Sequence, residues 1–207
     1  MFTLIKREFQ DHIIYFIGAA FFSAIFIAAS LSTARQSDFK ELSILSIGLL
    51  ATLVIIGFCG MGASQMYTDR TRKISALLST LSVSRSRILL ARIIAGILAI
   101  LTLLLPLTLT IVFLLRLFPP PIPMYQGMVS EIFTAVFLMA FACYCIGLQS
   151  GWNSSKIMPT LGGLLLTCIF VPLILIKGFG FHIMAILVLF IAASLIRTWH
   201  TFMSTPL

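Results

Sequence analysis

Residues 93–115 read IIAGILAILTLLLPLTLTIVFLL, an apolar run of 23 residues without a charged side chain. A helix needs about 20 predominantly apolar residues to cross the hydrocarbon core of a bilayer, so this run predicts a transmembrane helix. Apolar runs of 18 to 21 residues recur on both sides of it, at 13–31, 44–63, 128–148, 157–176 and 179–196. The sequence therefore predicts an all-α, polytopic integral membrane protein with six transmembrane helices in a single domain, residues 1–207.

The composition excludes an ordinary soluble domain. Apolar residues make up 60% of the chain and charged residues 10%, whereas a soluble domain carries about 25% charged residues. The 14 Lys and Arg residues outnumber the 6 Asp and Glu residues and give a formal net charge of +8. They stand between apolar runs instead of clustering on a soluble face, as nucleic-acid binding requires. We therefore expect the lipid bilayer as a partner, and no nucleic acid.

The basic residues are distributed unevenly between the two sides of the predicted membrane, with ten on one side and four on the other. Short cytoplasmic loops carry an excess of Lys and Arg, so both termini are predicted to face the cytoplasm. The ten are Lys6, Arg7, Arg70, Arg72, Lys73, Arg85, Arg87, Arg92, Lys156 and Arg197. Arg92 directly precedes the run at 93–115, and we expect its side chain to snorkel to the cytoplasmic surface.

Motifs that carry enzyme chemistry are missing from the sequence. No Lys is followed by Ser or Thr, which excludes the phosphate-binding loop Gly-x-x-x-x-Gly-Lys-Ser/Thr. The residues His12, His182 and His200 lie far apart, and all four cysteines fall within apolar runs, where free cysteines pack as small hydrophobic residues. We predict that the chain is not an enzyme, with no catalytic residue, no metal site and no cofactor of its own.

Glu131 is the acidic residue that lies deepest in a predicted span, three residues inside the outer end of 128–148. Ionisable residues inside a membrane often line a pathway, so one interpretation places Glu131 in an outer vestibule. The other interpretation, an interfacial carboxylate near the positive end of a helix dipole, is favoured by its position at the start of the helix.

Gly147 and Gly151 form a Gly-x-x-x-Gly pair at the cytoplasmic end of the fourth predicted span. Small residues at this spacing allow two membrane helices to approach closely. A single pair at a span end does not by itself specify a dimer interface.

The connection at 64–92 contains a short amphipathic pattern. Apolar side chains recur at i, i+3, i+4 and i+7, the spacing of one helical face, at Ile74, Leu77, Leu78 and Leu81. A helix of about ten residues is marginal alone in water, so this face needs a partner. Either the lipid interface or a groove on a protein would serve.

Residues 1–12 show a second amphipathic pattern, with Phe2, Ile5 and Phe9 at helical spacing and Lys6 and Arg7 available for the opposite face. Such a helix lies flat at the cytoplasmic interface before the chain turns into the first span. A simple positively charged anchor is the alternative interpretation.

The connection also resembles a known segment. Its elements are Asp69-Arg70, the Leu-rich stretch 77–81, Val83-Ser84-Arg85 and the run 88–92, ILLAR. Together they resemble the coupling segment of type-2 export permeases of the ATP-binding-cassette (ABC) superfamily, in which a segment like 1–12 forms a connecting elbow. The sequence departs from that pattern at two points, because no Gly follows Lys73 and Ser82 stands where the family usually has Pro. The subfamily therefore stays open, and a haem-export-like permease is one possibility whose Asp-Gly-x-Leu-Glu-like signature is not evident.

The resemblance implies a permease subunit of an export complex in the cytoplasmic (inner) membrane of a prokaryote. Two copies of a separate ATPase subunit would carry ATP and Mg, and a second permease would complete a homodimer or heterodimer around an unidentified substrate. The ATPase contacts implied are the polar residues Asp69, Arg70, Lys73, Ser84 and Arg85 and the apolar residues Ile74, Leu77, Leu78 and Leu81. A non-transporting membrane scaffold that recruits a cytosolic partner through 69–87 is the alternative.

Overall fold

A computed structural model describes residues 2–11, 13–34, 57–69, 71, 84–117, 125–152 and 180–204. This part of the chain is helical, apart from Ser84 and Gly180 at helix starts, and contains no strand. The helices are α1 (Phe2–Asp11), α2 (Ile13–Ala34), α3 (57–69), α4 (Arg85–Leu117), α5 (Tyr125–Trp152) and α6 (Phe181–Ser204). The predicted all-α class is confirmed.

Three helical segments are long and apolar enough to cross a membrane: Arg85–Thr110, Phe133–Gly151 and Phe181–Ser204. They overlap the predicted spans at 93–115, 128–148 and 179–196, so the membrane character predicted from composition has support in the structure. A shorter apolar helical segment, Ile13–Ile25, lies within the predicted first span. The predicted span at 157–176 and most of the one at 44–63 lie outside the described residues.

Helices continue beyond the apolar runs that identified them. The helix of the third span begins at Arg85 and not at 93, and α3 extends through residue 69. The carbonyl of Ser84 accepts the backbone N–H groups of Arg87 at 3.0 Å and Ile88 at 3.4 Å, and Ser is a favoured residue at this capping position. Both described ends of the predicted 64–92 loop are therefore helical, and residue 71 is helical as well, while residues 70 and 72–83 lie outside the described part of the chain.

α4 is the central helix of the described bundle. It packs against α1, α2, α5 and α6, and α5 also packs along α6. Ala91, Ala95 and Ala99 recur every four residues on α4 and are buried. Because lipid is as apolar as a side chain, membrane helices associate mainly through close packing and hydrogen bonds, and this alanine stripe permits the close packing.

α3 and α5 cross at backbone contact. A Cβ atom on Gly62 would meet the carbonyl oxygen of Tyr144, and one on Gly147 would meet the carbonyl oxygen of Cys59. A Cβ atom on Gly151 would likewise meet the carbonyl oxygen of Ala63. The Gly-x-x-x-Gly pair predicted to permit close approach thus forms a crossing within the chain.

Large apolar side chains point outward from the described bundle. On α2, Ile14, Ile17 and Phe21 are 73%, 61% and 64% exposed, and their spacing of three and four residues places them on one helical face. Phe181 and Leu189 are similarly exposed on α6. Apolar faces of this kind suit contact with lipid chains.

Candidate functional site

Arg92 lies at the centre of a buried ion cluster near the N-terminal end of α4. Its side chain is 2% exposed. Arg92 Nη1 is 2.8 Å from Asp69 Oδ2 at the end of α3, and Arg92 Nε is 3.3 Å from Glu8 Oε1 on α1. The prediction that Arg92 snorkels to the surface is wrong, because two carboxylates from other helices satisfy its charge inside the protein.

The guanidinium of Arg92 also contacts α6 and a second residue of α3. Its central carbon lies 5.9 Å from the centroid of the Phe202 ring, within the range of a cation–π interaction. Arg92 Nη1 lies 3.6 Å from the sulfur of Met66. One side chain of α4 therefore contacts α1, α3 and α6 together.

Tyr144 connects α5 to the same cluster. Its hydroxyl oxygen lies 2.6 Å from Gln65 Oε1 and 2.8 Å from the backbone carbonyl oxygen of Arg92. A hydroxyl has one proton, so Tyr144 donates to one of these two acceptors at a time. A Cβ atom on Gly96 would meet the ring of Tyr144, so the absence of a side chain on α4 makes room for this tyrosine.

A further polar contact joins α5 and α6 toward the end of the bundle that contains the ion cluster. Gln149 Nε2 donates to the hydroxyl oxygen of Ser194 at 2.7 Å and to its backbone carbonyl at 3.0 Å. Hydrogen bonds between membrane helices stabilise the pair by about 0.6 kcal/mol on average. The contact therefore contributes more to the register of the two helices than to stability.

An aromatic ladder runs along α5 to the cluster. Phe133, Phe137, Phe141 and Tyr144 stack in succession, with ring centroids 6.4, 6.3 and 6.2 Å apart. Offset aromatic pairs at such distances stabilise a structure beyond the area they bury. The ladder stiffens this face of α5 up to the tyrosine that contacts the ion cluster.

Three of the predicted ATPase contacts lie in the described part of the chain. The carboxylate of Asp69 is 1% exposed and faces Arg92. Ser84 is exposed at the start of α4, and Arg85 Nη1 donates to the carbonyl of Met203 at 3.5 Å. The remaining predicted contacts lie outside the described residues: Arg70, Lys73, Ile74, Leu77, Leu78 and Leu81.

The predicted elbow is the helix α1, to which Phe2 and Ile5 both belong. Lys6 is exposed, and Arg7 Nε lies 3.6 Å from Asp11 Oδ2 on the surface. The Phe9 ring lies 4.1 Å from the Phe16 ring of α2, measured between centroids, so this aromatic contact joins the two helices.

Glu131 is exposed on α5, and its predicted role in an outer vestibule stays a prediction. Within the described ranges, no group of three or more His, Cys, Asp or Glu residues could hold a metal ion. The chemistry that the described residues assemble is a network of charges and hydrogen bonds that fixes helix ends.

Four members of this network were missed as site residues in the sequence: Glu8, Gln65, Arg92 and Tyr144. The available signal was a polar side chain within or beside an apolar run, which is costly unless it is paired. That signal identifies Gln65, Arg92 and Tyr144 but not Glu8, which lies outside the run at 13–31. It also names no partner, because Glu8 and Arg92 are 84 positions apart.

No family model matches the sequence, and neither a curated protein nor a solved structure is significantly similar to it. The function is therefore inferred from the chain itself.

Proposed function

We propose that this chain is the transmembrane permease subunit of an ATP-driven ABC export complex, which moves an unidentified substrate with the energy of a separate ATPase subunit. Two ATPase copies, which bind ATP and Mg, and a second permease in a homodimer or heterodimer complete the assembly. The resemblance of 69–92 to a coupling segment suggests the class. The ion cluster around Arg92 is the single observation that carries the mechanism.

The cluster ties both ends of the connection at 70–83 to the rest of the bundle. Asp69, the last residue of α3 as described, pairs with Arg92 at 2.8 Å. The connection re-enters at Ser84, two turns before Arg92 on α4. A partner that displaces the connection therefore acts on one buried ion pair and on the start of the central helix.

Other helices would follow this displacement through direct contacts. Glu8 joins α1 to Arg92, and Tyr144 joins α5 to the carbonyl of the same residue. Phe202 adds α6 through its ring. Four helices besides α4 thus contact Arg92, and motion at one loop reaches all of them without a long chain of intermediate contacts.

The cluster also supports the proposed topology. Glu8 near the start of the chain and Phe202 near its end contact the same side chain. Both terminal helices therefore meet at the end of the bundle from which the connection leaves. The excess of basic residues in these segments favours the cytoplasm as the location of that end, and in the proposed complex it is the cytoplasmic face of a prokaryotic inner membrane.

Co-purification from native membranes tests the proposal. The tagged chain is extracted in a mild detergent, and its partners are identified by mass spectrometry. ATP hydrolysis by the purified complex is measured in parallel. The variant Leu77→Asp/Leu78→Asp is compared with the control His200→Asp/Ser204→Asp. The control adds the same two charges at exposed positions of α6 near Arg85, outside the connection.

An ATPase subunit that is retained by the wild type and the control, but lost from the variant, supports the permease. Retention of that subunit by the variant contradicts the assignment of the connection. A partner without ATPase activity that binds through 69–87 supports the scaffold instead, and reconstituted vesicles then show no ATP-dependent transport.

A further inference from the structure

α6 has a long apolar face that is exposed in the structure. Of the three helical segments able to cross a membrane it is the least buried, with 22% of its apolar stretch buried against 56% and 61% for those of α4 and α5. Leu189 and Ile196 on this face are each 69% exposed. Ala192 and Ala193 lie between them in the sequence and are exposed as well, so two small side chains leave a shallow apolar recess between two large ones.

Two amphipathic side chains flank this face at the end of the bundle that contains the ion cluster. Arg197 is exposed and Trp199 is 41% exposed, and Phe202, which faces Arg92, follows them on α6. Residues two positions apart are about 200° apart around a helix, so the two side chains lie on opposite edges of the face, with Ile196 between them. Trp is enriched at the level of lipid headgroups, and this places Arg197 at the depth of lipid phosphates.

The described acidic residues at this end already face other cations. The two carboxylates of the ion cluster lie beside Arg92, and the Asp11 carboxylate lies 3.6 Å from Arg7. No Asp or Glu occurs in residues 132–207. With the residues that the structure describes, Arg197 forms no ion pair and no hydrogen bond. A cation beside an apolar face thus lacks an anion from the described protein.

The exposed face of α2 offers a contrast. Its outward apolar side chains begin at Ile14, and the charged residue ahead of them is Asp11, whose side chain is 51% exposed. A carboxylate at this place repels a lipid phosphate. An apolar face alone suits any lipid chain, whereas an arginine at its edge favours a lipid with a net negative headgroup.

We propose that the end of α6 binds an anionic phospholipid, whose phosphate is held by the Arg197 guanidinium and whose acyl chain lies on the apolar face between Ile196 and Leu189. The planar guanidinium matches two phosphate oxygens with two parallel N–H groups. A zwitterionic choline lipid binds less well, because its own cation competes with Arg197 for the phosphate. The site goes beyond the proposed function and requires no ATPase.

Quenching of Trp199 fluorescence by brominated phospholipids tests the site. Trp152→Phe leaves Trp199 as the single tryptophan of the chain, and bromine on an acyl chain quenches a tryptophan only at close range. The full chain is reconstituted in mixed vesicles in which either phosphatidylglycerol or phosphatidylcholine is brominated, so the two degrees of quenching give a ratio of binding constants. Arg87→Gln is the matched control for Arg197→Gln, because Arg87 is also exposed but lies on α4.

Phosphatidylglycerol should bind beside Trp199 about fivefold more tightly than phosphatidylcholine, the preference expected of one arginine at an anionic surface. Arg197→Gln brings this ratio close to one, whereas Arg87→Gln leaves it unchanged. Native mass spectrometry of the chain with both tryptophans gives a second measurement, in which the wild type and Arg87→Gln retain phosphatidylglycerol and Arg197→Gln loses it.

The site is overturned if the two lipids quench equally. An equal loss of preference in Arg87→Gln and Arg197→Gln also overturns it, since the preference then arises from diffuse surface charge. Quenching by neither lipid shows that protein covers this face and refutes the lipid as its occupant. None of these results depends on whether an ATPase co-purifies, so failure of the lipid site and failure of the proposed function are distinguishable.

Discussion

Gly147→Ala tests the backbone crossing of α3 and α5. A Cβ atom at this position would meet the carbonyl oxygen of Cys59 and lie 3.0 Å from the backbone nitrogen of Ala63. Both atoms belong to the backbone of α3, so no change of side-chain rotamer relieves the overlap. α3 itself has to move away from α5.

The magnitude follows from two opposing effects. Overpacking a well-packed site costs about 1–3 kcal/mol, and a rigid backbone neighbour favours the upper part of that range. Replacing Gly by Ala inside a helix returns about 0.5–1 kcal/mol through backbone entropy. We therefore expect Gly147→Ala to destabilise the protein by about 1–2 kcal/mol.

Gly60→Ala is the matched control, because this glycine also lies on α3 and a Cβ atom added to it would have no heavy atom within 4 Å. It retains the entropic gain without the overlap and should be neutral or stabilising by up to about 1 kcal/mol. The difference between the two variants isolates the overpacking, about 1–3 kcal/mol. Gly62→Ala joined to Gly147→Ala should cost less than the sum of the two single changes, since one displacement of α3 relieves both overlaps.

Thermal unfolding in detergent micelles, followed by far-ultraviolet circular dichroism, measures these differences. For a chain of this length about 1 kcal/mol corresponds to 2–4 °C in Tm. If Gly147→Ala unfolds at or above the temperature of Gly60→Ala, α3 and α5 do not cross at backbone contact.

Three further predictions use equally simple measurements. Arg92→Met leaves two carboxylates without their shared cation and should lower the free energy of unfolding by about 3–5 kcal/mol, measured in the same unfolding assay; an unchanged Tm would contradict the cluster. Tyr144→Phe should cost about 1–3 kcal/mol because a buried amide loses its partner, whereas Tyr67→Phe, at a side chain 57% exposed, should change stability by less than about 0.5 kcal/mol. In inside-out vesicles a membrane-impermeant maleimide should modify both Lys6→Cys and His200→Cys, and reaction of the two from opposite faces would refute the shared end of the terminal helices.

Much of the fold could be predicted because a membrane span is recognised from about 20 consecutive residues. The run at 93–115 needs no distant partner to be recognised, and α4 covers it. The apolar run does not mark the start of that helix, which begins at Arg85 and not at 93. An apolar run marks the part of a helix inside the hydrocarbon core, and the hydrogen-bonded helix extends beyond it. Helix continues through Arg85 to Arg92 because a capping serine and buried ion pairs satisfy its polar groups.

The candidate site was harder to predict because its geometry depends on pairs that are distant in sequence. A single cation beside an apolar run fits both a snorkelling side chain and a buried ion pair, and only the approach of Asp69 and Glu8 decides between them. Gly147 presented a similar ambiguity, since its spacing indicates close approach without naming the helix that approaches. In the structure, the helix that approaches Gly147 is α3 of the same chain.

The buried charges are better explained by specificity than by stability. An apolar set of similar volume often stabilises a protein as well as a buried ion pair does, whereas removing one partner is costly. A purely apolar contact at the same place would allow the ends of α1 and α3 to slide along α4. Arg92 instead pairs with two carboxylates, each in a fixed direction. Its Nη1 lies 2.8 Å from Asp69 Oδ2, and its Nε lies 3.3 Å from Glu8 Oε1. The cluster therefore defines one register for these three helices, which a purely apolar contact of the same volume would leave free to slide.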